Sequence, residues 1–249
     1  MAGHSAIDAR RSAARVVYAL APSDRPIIIT IDGPAGTGKS SVARQLAARL
    51  GLDFLDTGAM YRAAAAIAID RGLSLDDPDS LVRVVADADL HFDWSNDPPS
   101  LLAWSASIDH RLREGDVTAI VSPIAGIPAL RALMVQKQRQ IGEEHRRLVT
   151  EGRDQGSVVF PAAPVKFYLD ASPEVRAVRR VQQLKKTGQM PDAQAVLEDI
   201  IARDRSDSTR TDGPLTCPDD AIRVDTSSIP FEGVVDELER LVRQRVNVD

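Results

Sequence analysis

Ile27-Ile28-Ile29-Thr30-Ile31-Asp32-Gly33-Pro34-Ala35-Gly36-Thr37-Gly38-Lys39-Ser40-Ser41 decides the fold. An apolar run meets a glycine loop, and the loop opens a stretch in which Val42, Leu46 and Leu50 share one helical face. The order is strand, loop, helix. The loop fits G-x-x-x-x-G-K-[ST], a phosphate cradle. Gly33, Gly36 and Gly38 allow the main chain to approach an anion where a Cβ would collide. The loop N–H groups and the N-terminus of the helix then face the anion together. Lys39 is placed for the β- and γ-phosphates, and the Ser40 hydroxyl for a place on Mg²⁺.

Outward from the loop, strands alternate with helices. Gly51 stops the first helix, and a short strand follows at 52–55. Helical runs are expected over 63–70 and from Pro78 to Ala86. Residues 88–110 break the pattern: 88–94 alternates, Asn96-Asp97-Pro98-Pro99 turns, and 100–108 can pair back, which reads as a small antiparallel insert. Helical periodicity resumes near Asp116, and Pro128–Arg147 reads as a long helix with Leu130, Leu133, Met134 and Ile141 inward. Strands follow at 148–151 and 165–170. Ser172 and Pro173 form a helix start. A charged break at 185–189 precedes a helix over about 192–205, and a strand at 221–224 and a helix at 231–246 close the chain. Such alternation predicts a parallel sheet covered by helices on both faces. Its ligand site lies at the carboxyl ends of the strands.

Composition narrows the function class. The chain has 249 residues and a formal net charge of −5, which argues against a general nucleic-acid or membrane-surface binder. No apolar run approaches membrane-spanning length. Of 31 basic residues only five are lysines, leaving 26 arginines, the side chain suited to bidentate phosphate contacts. Cys217 is the one cysteine, so no intrachain disulfide forms and a reducing compartment, the cytoplasm, is expected. The four histidines show no metal-ligand spacing. Residues 1–25 read as an extension, unordered or loosely helical, with an Arg-rich, acid-poor transit peptide as the other reading, ending in the linker Ala21-Pro22-Ser23-Asp24-Arg25-Pro26.

Three further clusters accompany the loop. Thr57 and Arg62 stand after the second strand, a hydroxyl donor and a candidate second phosphate ligand. Arg153 and Asp154 lie on a glycine-bracketed turn, as a salt bridge or a ligand pair. Arg203–Arg210, with Arg179 and Arg180 upstream of the break, is a solvated helix face or a lid carrying arginines to a transferring phosphoryl group.

The segments 55–62 (Leu-Asp-Thr-Gly-Ala-Met-Tyr-Arg), 151–154 (Glu-Gly-Arg-Asp), 158–166, 171–174 and 203–210 together resemble the bacterial cytidylate kinases, in register from about Ile27 to Arg245. The resemblance implies a nucleoside monophosphate kinase fold: a five-stranded parallel sheet flanked by helices, a lid at about 179–210, and a monophosphate-binding region at about 57–127 that contains the insert. It implies transfer of the γ-phosphoryl group of ATP, with Mg²⁺, to CMP or dCMP, in a monomer with no nucleic-acid or membrane partner. By position, Gly33, Pro34, Ala35, Gly36, Thr37, Gly38, Lys39, Ser40 and Ser41 would hold the ATP phosphates, with Ser40 on the metal. Arg62 and Arg153 would grip the CMP phosphate, beside Thr57. Ser122, Arg131, Asp154 and Arg210 would read cytosine. Arg203 and Asp207 would hold the ribose, with Tyr61 next to it, and Arg179 would lie near the ATP base. Lys39, Arg153, Arg180 and Arg203 would carry catalysis.

The chain departs from the family pattern at Gln155, which replaces an apolar residue, at Ser157, at Ser206, and in the run 105–113. Two other readings are set against this one. The first is a kinase of the same fold acting on another acceptor such as UMP. The second is a nucleotide switch that transfers nothing.

Overall fold

The computed structural model describes residues 26–186 and 188–248. The expected N-terminal extension lies outside them. Five strands form one parallel sheet: β1 (Ile27–Asp32), β2 (Asp53–Asp56), β6 (Arg147–Gly152), β7 (Val165–Asp170) and β8 (Ile222–Asp225), in the order β2-β6-β1-β7-β8. The register brings the carboxyl ends level, with Asp32 beside Gly152, Asp56 beside Glu151, and Asp170 beside Asp225. β1 is apolar on both faces because helices cover both, as parallel sheets require.

On one face α1 (Lys39–Leu50) packs against α8 (Phe231–Arg245). Val42, Leu46, Val234, Leu238 and Val242 fill that layer. Gly51 ends α1 at φ 63°, with its N–H bonded to the Ala47 carbonyl. The other layer holds α2 (Thr57–Asp70), α3 (Pro78–Asp87), α4 (Gly115–Ala125) and α5 (Pro128–Glu144), packed around Met60, Ile67, Leu81, Leu130 and Met134. α6 (Pro173–Lys186) and α7 (Ala193–Thr209) pack on each other at the strand ends.

Several boundaries differ from the sequence expectation, each for a local reason. α2 begins at Thr57 instead of residue 63, because the Asp56 side chain caps it by accepting from Ala59 N at 2.9 Å. The segment holding Thr57, Tyr61 and Arg62 is therefore helix. α5 ends at Glu144, and Arg147 already belongs to β6. α7 continues past residue 205 to Thr209, so Asp207 is helical. The insert has three strands: β3 (His91–Asp93), β4 (Ser100–Ala103) and β5 (Ala106–Ser107). A tight turn with positive φ at both Trp104 and Ser105 divides what the sequence shows as one run. Phe92 and Leu101 anchor the insert in the α2 layer. Among the described residues no single helix is long and apolar enough to cross a membrane; only α4 and α5 together reach that length, bent by 96°.

Candidate active site

Four chain segments leave the sheet side by side, and each carries expected site residues. The glycine loop follows β1. Its backbone is left-handed at Gly36 and Gly38, and a Cβ on Gly33 would fall onto the Leu169 carbonyl, which fixes the loop against β7. Lys39 is buried and donates from Nζ to the Pro34 carbonyl at 2.8 Å, across the mouth of its own loop. Thr37 Oγ1 donates to the same carbonyl at 3.1 Å. Ser40 Oγ donates to Glu151 Oε1 at 2.7 Å.

α2 follows β2. Arg62 reaches back to Asp56 Oδ2 at 2.8 Å, while its Nε is buried with no hydrogen-bond partner. The Thr57 hydroxyl donates to the Glu151 carbonyl at 2.7 Å, so its bond in this structure is to main chain. The Arg153-Asp154 turn follows β6 and leads into a single π-helical turn, Gln155–Val159. Asp32, the last residue of β1, accepts from Gln155 N at 2.8 Å and Gly156 N at 2.7 Å, satisfying the open N–H groups of that turn. α6 follows β7. Buried Arg176 forms a two-pronged bond to Asp204 of α7, at 3.0 and 2.6 Å, and donates to the Ala35 carbonyl at 3.2 Å. One guanidinium thus joins α6, α7 and the glycine loop.

Two clusters result. In the first, Lys39, Arg62, Arg153 and Arg203 lie within one another's electrostatic reach. Burial pulls the Arg203 pKa down to about 10, with Arg153, Arg62 and Arg180 adding to the pull, and its Nε is buried without a partner. Burial, then Arg153, draws Lys39 down to about 7. Three carboxylates underlie this cluster. Burial, then Asp56, drives Glu151 up to about 7, and burial drives Asp32 up to about 6 against the two N–H bonds it accepts. In the second cluster Arg131 and Asp154 form a buried ion pair, with Arg131 5.7 Å from the Tyr61 ring centre. Asp207 joins the two: it accepts from Arg153 Nε at 2.8 Å and Ser122 Oγ at 3.5 Å, and lies 3.7 Å from Arg210. Burial alone would raise the Asp207 pKa, but Arg153, Arg203 and Arg210 hold it below the usual carboxylate range.

Sequence residues expected to act together are therefore brought together, except at two positions. Arg179 lies apart, bonded to the Thr226 hydroxyl at 3.1 Å and to its carbonyl, beyond the end of β8. Arg180 bonds Gln183 of its own helix at 2.9 Å, although its charge is felt at Arg203. Sequence reasoning missed Asp32, Asp56, Glu151, Arg176, Asp204 and Gly213. Three of these are acids at or next to the end of a strand, and that position was the available signal. Gly213 gives none: at φ 55° it lies over the Arg131–Asp154 pair, where a Cβ would collide with both end groups.

The arrangement is a triphosphate cradle facing a cation cluster with open donors, beside a buried polar pair. The sequence model of a family described as "Cytidylate kinase" matches residues 29–244. The chain belongs to the cytidylate kinase family. It is similar to a "Cytidylate kinase" of Nocardia farcinica, 43% identical over 224 residues that cover 90% of this chain and 97% of that protein. A "Cytidylate kinase" of Rhodococcus opacus is 44% identical over 230 residues, covering 91% and 99%. A "Bifunctional pantoate ligase/cytidylate kinase" of Acaryochloris marina is 40% identical over 247 residues, and there the match takes up 47% of the longer protein. Membership makes the chain a nucleotide phosphotransferase, the class to which the glycine loop and the arginines already pointed.

The donor set fits the nucleotide and metal that such a kinase uses. The two unpartnered guanidinium Nε atoms lie in an excess of positive charge that a phosphate would balance. Among the described residues no three His, Cys, Asp or Glu side chains form a metal cage. A Mg²⁺ ion would therefore depend on the Ser40 hydroxyl and on phosphate oxygens, with Glu151 behind Ser40.

Proposed function

We propose that this cytidylate kinase transfers the γ-phosphoryl group of ATP to CMP and dCMP, and that the residues named above carry the reaction. The observation that carries the acceptor assignment is the adjacency of the cation cluster, with its two open guanidinium donors, to the buried Arg131–Asp154 pair. A monophosphate fits the first and a polar base edge the second. Cytosine offers an N4 donor and N3 and O2 acceptors. Asp154 accepts from the first, while Arg131, Arg210 and Ser122 donate to the others. Uracil would set a carbonyl against Asp154, leaving buried acceptors unpaired.

The acceptor is already a phosphate oxyanion, so no general base is required. The chain positions the reactants and neutralises charge. Lys39 exchanges the Pro34 carbonyl for phosphate oxygens. Arg62 and Arg153 hold the acceptor phosphate in line. Arg180 and Arg203, on α6 and α7, bring positive charge to the group in transit, and Arg179 lies toward the adenine side. Asp207 and Tyr61 border the ribose. When bound, Mg²⁺ supplies further neutralisation at the phosphates. The proposal includes a lid at 179–210 and a monophosphate-binding region at 57–127 within one kinase domain over 26–249. The proposal also includes a monomer acting on small molecules in the cytoplasm.

A coupled assay of ADP release with ATP and Mg²⁺ against CMP, dCMP, UMP, AMP, GMP and TMP tests the acceptor. Turnover confined largely to CMP and dCMP is expected. Preference for another acceptor contradicts the roles of Ser122, Arg131, Asp154 and Arg210.

A further inference from the structure

A chain of buried amides runs behind the acceptor site, and the mechanism above does not use it. Gln155 and Gln138 are both fully enclosed, as is Thr150. Thr150 Oγ1 donates to Gln155 Oε1 at 2.9 Å, and Gln155 Nε2 donates to Gln138 Oε1 at 3.1 Å. Gln138 stands seven residues after Arg131, so the two share one face of α5. Gln155 follows Asp154 directly. The pairs Arg131–Asp154 and Gln138–Gln155 are therefore two parallel rungs between α5 and the turn after β6.

Tyr61 lies against the first rung, with the Arg131 guanidinium 5.7 Å from its ring centre. Gln138 Nε2 is buried with no hydrogen-bond partner. At the far end the Gln155 main chain is pinned by Asp32, the last residue before the glycine loop. Two apolar side chains would pack the same space without the desolvation of two amides. A connected polar chain, unlike an apolar contact, specifies a single arrangement of the groups it links.

We propose that Gln155 and Gln138 are positioning residues for the acceptor: they set the placement of the turn that presents Asp154. This rests on the CMP reading of that site. The two glutamines touch no reacting atom, so their effect falls on acceptor binding and leaves the ATP side alone.

The test compares wild type, Gln155→Met, Gln138→Leu and the double variant, each by steady-state kinetics and thermal melting. In Gln155→Met the KM for CMP is expected to rise about tenfold, the scale of one lost buried hydrogen bond. The KM for ATP, and kcat at saturating CMP, stay within about threefold on the same scale. Each single variant orphans an amide and lowers the melting temperature. The double variant removes both amides, leaving only the Thr150 hydroxyl without its acceptor, and regains part of the melting temperature, while its KM for CMP stays raised. A KM for CMP that is unchanged in Gln155→Met, or that recovers along with melting temperature in the double variant, overturns the proposal. So does an equal rise in the KM for ATP. If Gln155→Met does not fold, the double variant, with no orphaned amide, carries the comparison. Absence of CMP turnover in wild type would overturn the acceptor reading itself; turnover in wild type with unchanged variants overturns only the positioning role.

Discussion

In the proposed acceptor site, the phosphate end and the base end are built on opposite electrostatic plans. At the phosphate end, cations outnumber their partners. Lys39 has only a backbone carbonyl, and Arg62 and Arg203 each keep a buried Nε with none. At the base end the charges are already paired, Arg131 with Asp154 and Arg210 with Asp207, which also holds Arg153 of the phosphate end. A phosphate therefore fills a deficit, whereas a base must be accepted by groups that already hold one another. The first plan favours tight, poorly selective capture. The second makes selectivity depend on one geometry, since a mismatched edge leaves buried groups unpaired. Affinity and discrimination are thereby divided between neighbouring parts of one cleft.

The largest effect is expected at Lys39. Lys39→Met removes the charge that the proposal sets against the transferring phosphoryl group, and kcat/KM should fall by about 10³. The ligand-free melting temperature should change little, because the lost bond is to one carbonyl. A loss under tenfold in a coupled assay would break the assignment.

Arg203→Met and Arg131→Met sharpen the contrast directly. Removing Arg203 relieves repulsion and orphans no Nε partner, so ligand-free melting should hold or rise while kcat drops by about 10². Removing Arg131 leaves Asp154 buried without its cation, a change of the kind that costs about 3–5 kcal/mol. That is a fall in melting temperature of roughly 6–20 °C for a chain of this size. Equal thermal shifts in the two variants would contradict the division between the ends.

The pH predictions are smaller. Glu151 titrates near 7 in the folded chain, above its ordinary 4.5, first through burial and then through Asp56. Its contribution to stability is full below about 4.5 and is lost as pH rises through about 7. Melting temperature of the ligand-free protein should decline over that window, and Glu151→Gln should flatten the decline. Lys39 carries the opposite sign. Burial, then Arg153, lowers it to about 7, so at pH 8 it is largely neutral until phosphates arrive. Binding of ATP at pH 8 should take up as much as about one proton, read by calorimetry in buffers of differing ionisation enthalpy. Proton release would contradict this.

Much of the architecture was legible in the chain because its signals are local. Strand, glycine loop and helix at 27–50, and the Ser172-Pro173 helix start, follow from periodicity and from backbone demands read over a few residues. The start of α2 was misplaced because its cap, Asp56, is also the last residue of a strand, and the apolar run alone begins later. The division of the insert turns on Trp104 and Ser105, which adopt a conformation their residue types do not announce. At the site, the glycine-loop motif, the arginine clusters and the family resemblance named the cations, but the acids Asp32, Asp56 and Glu151 gain meaning only when strand register places them together. Gly213 and the Gln138–Gln155 rung are tertiary contacts with no sequence period.

The most direct test is the ratio of kcat/KM for CMP to that for UMP, measured in wild type and in Asp154→Asn. Asparagine keeps the size of the side chain but adds a donor where cytosine N4 must donate. The account predicts a strong preference for CMP in wild type and a fall of about 10² in the ratio for the variant, with the KM for ATP nearly unchanged. A ratio that stays the same, in a variant that still folds and binds ATP, would contradict the assignment of Asp154 and with it the division of labour between the two ends.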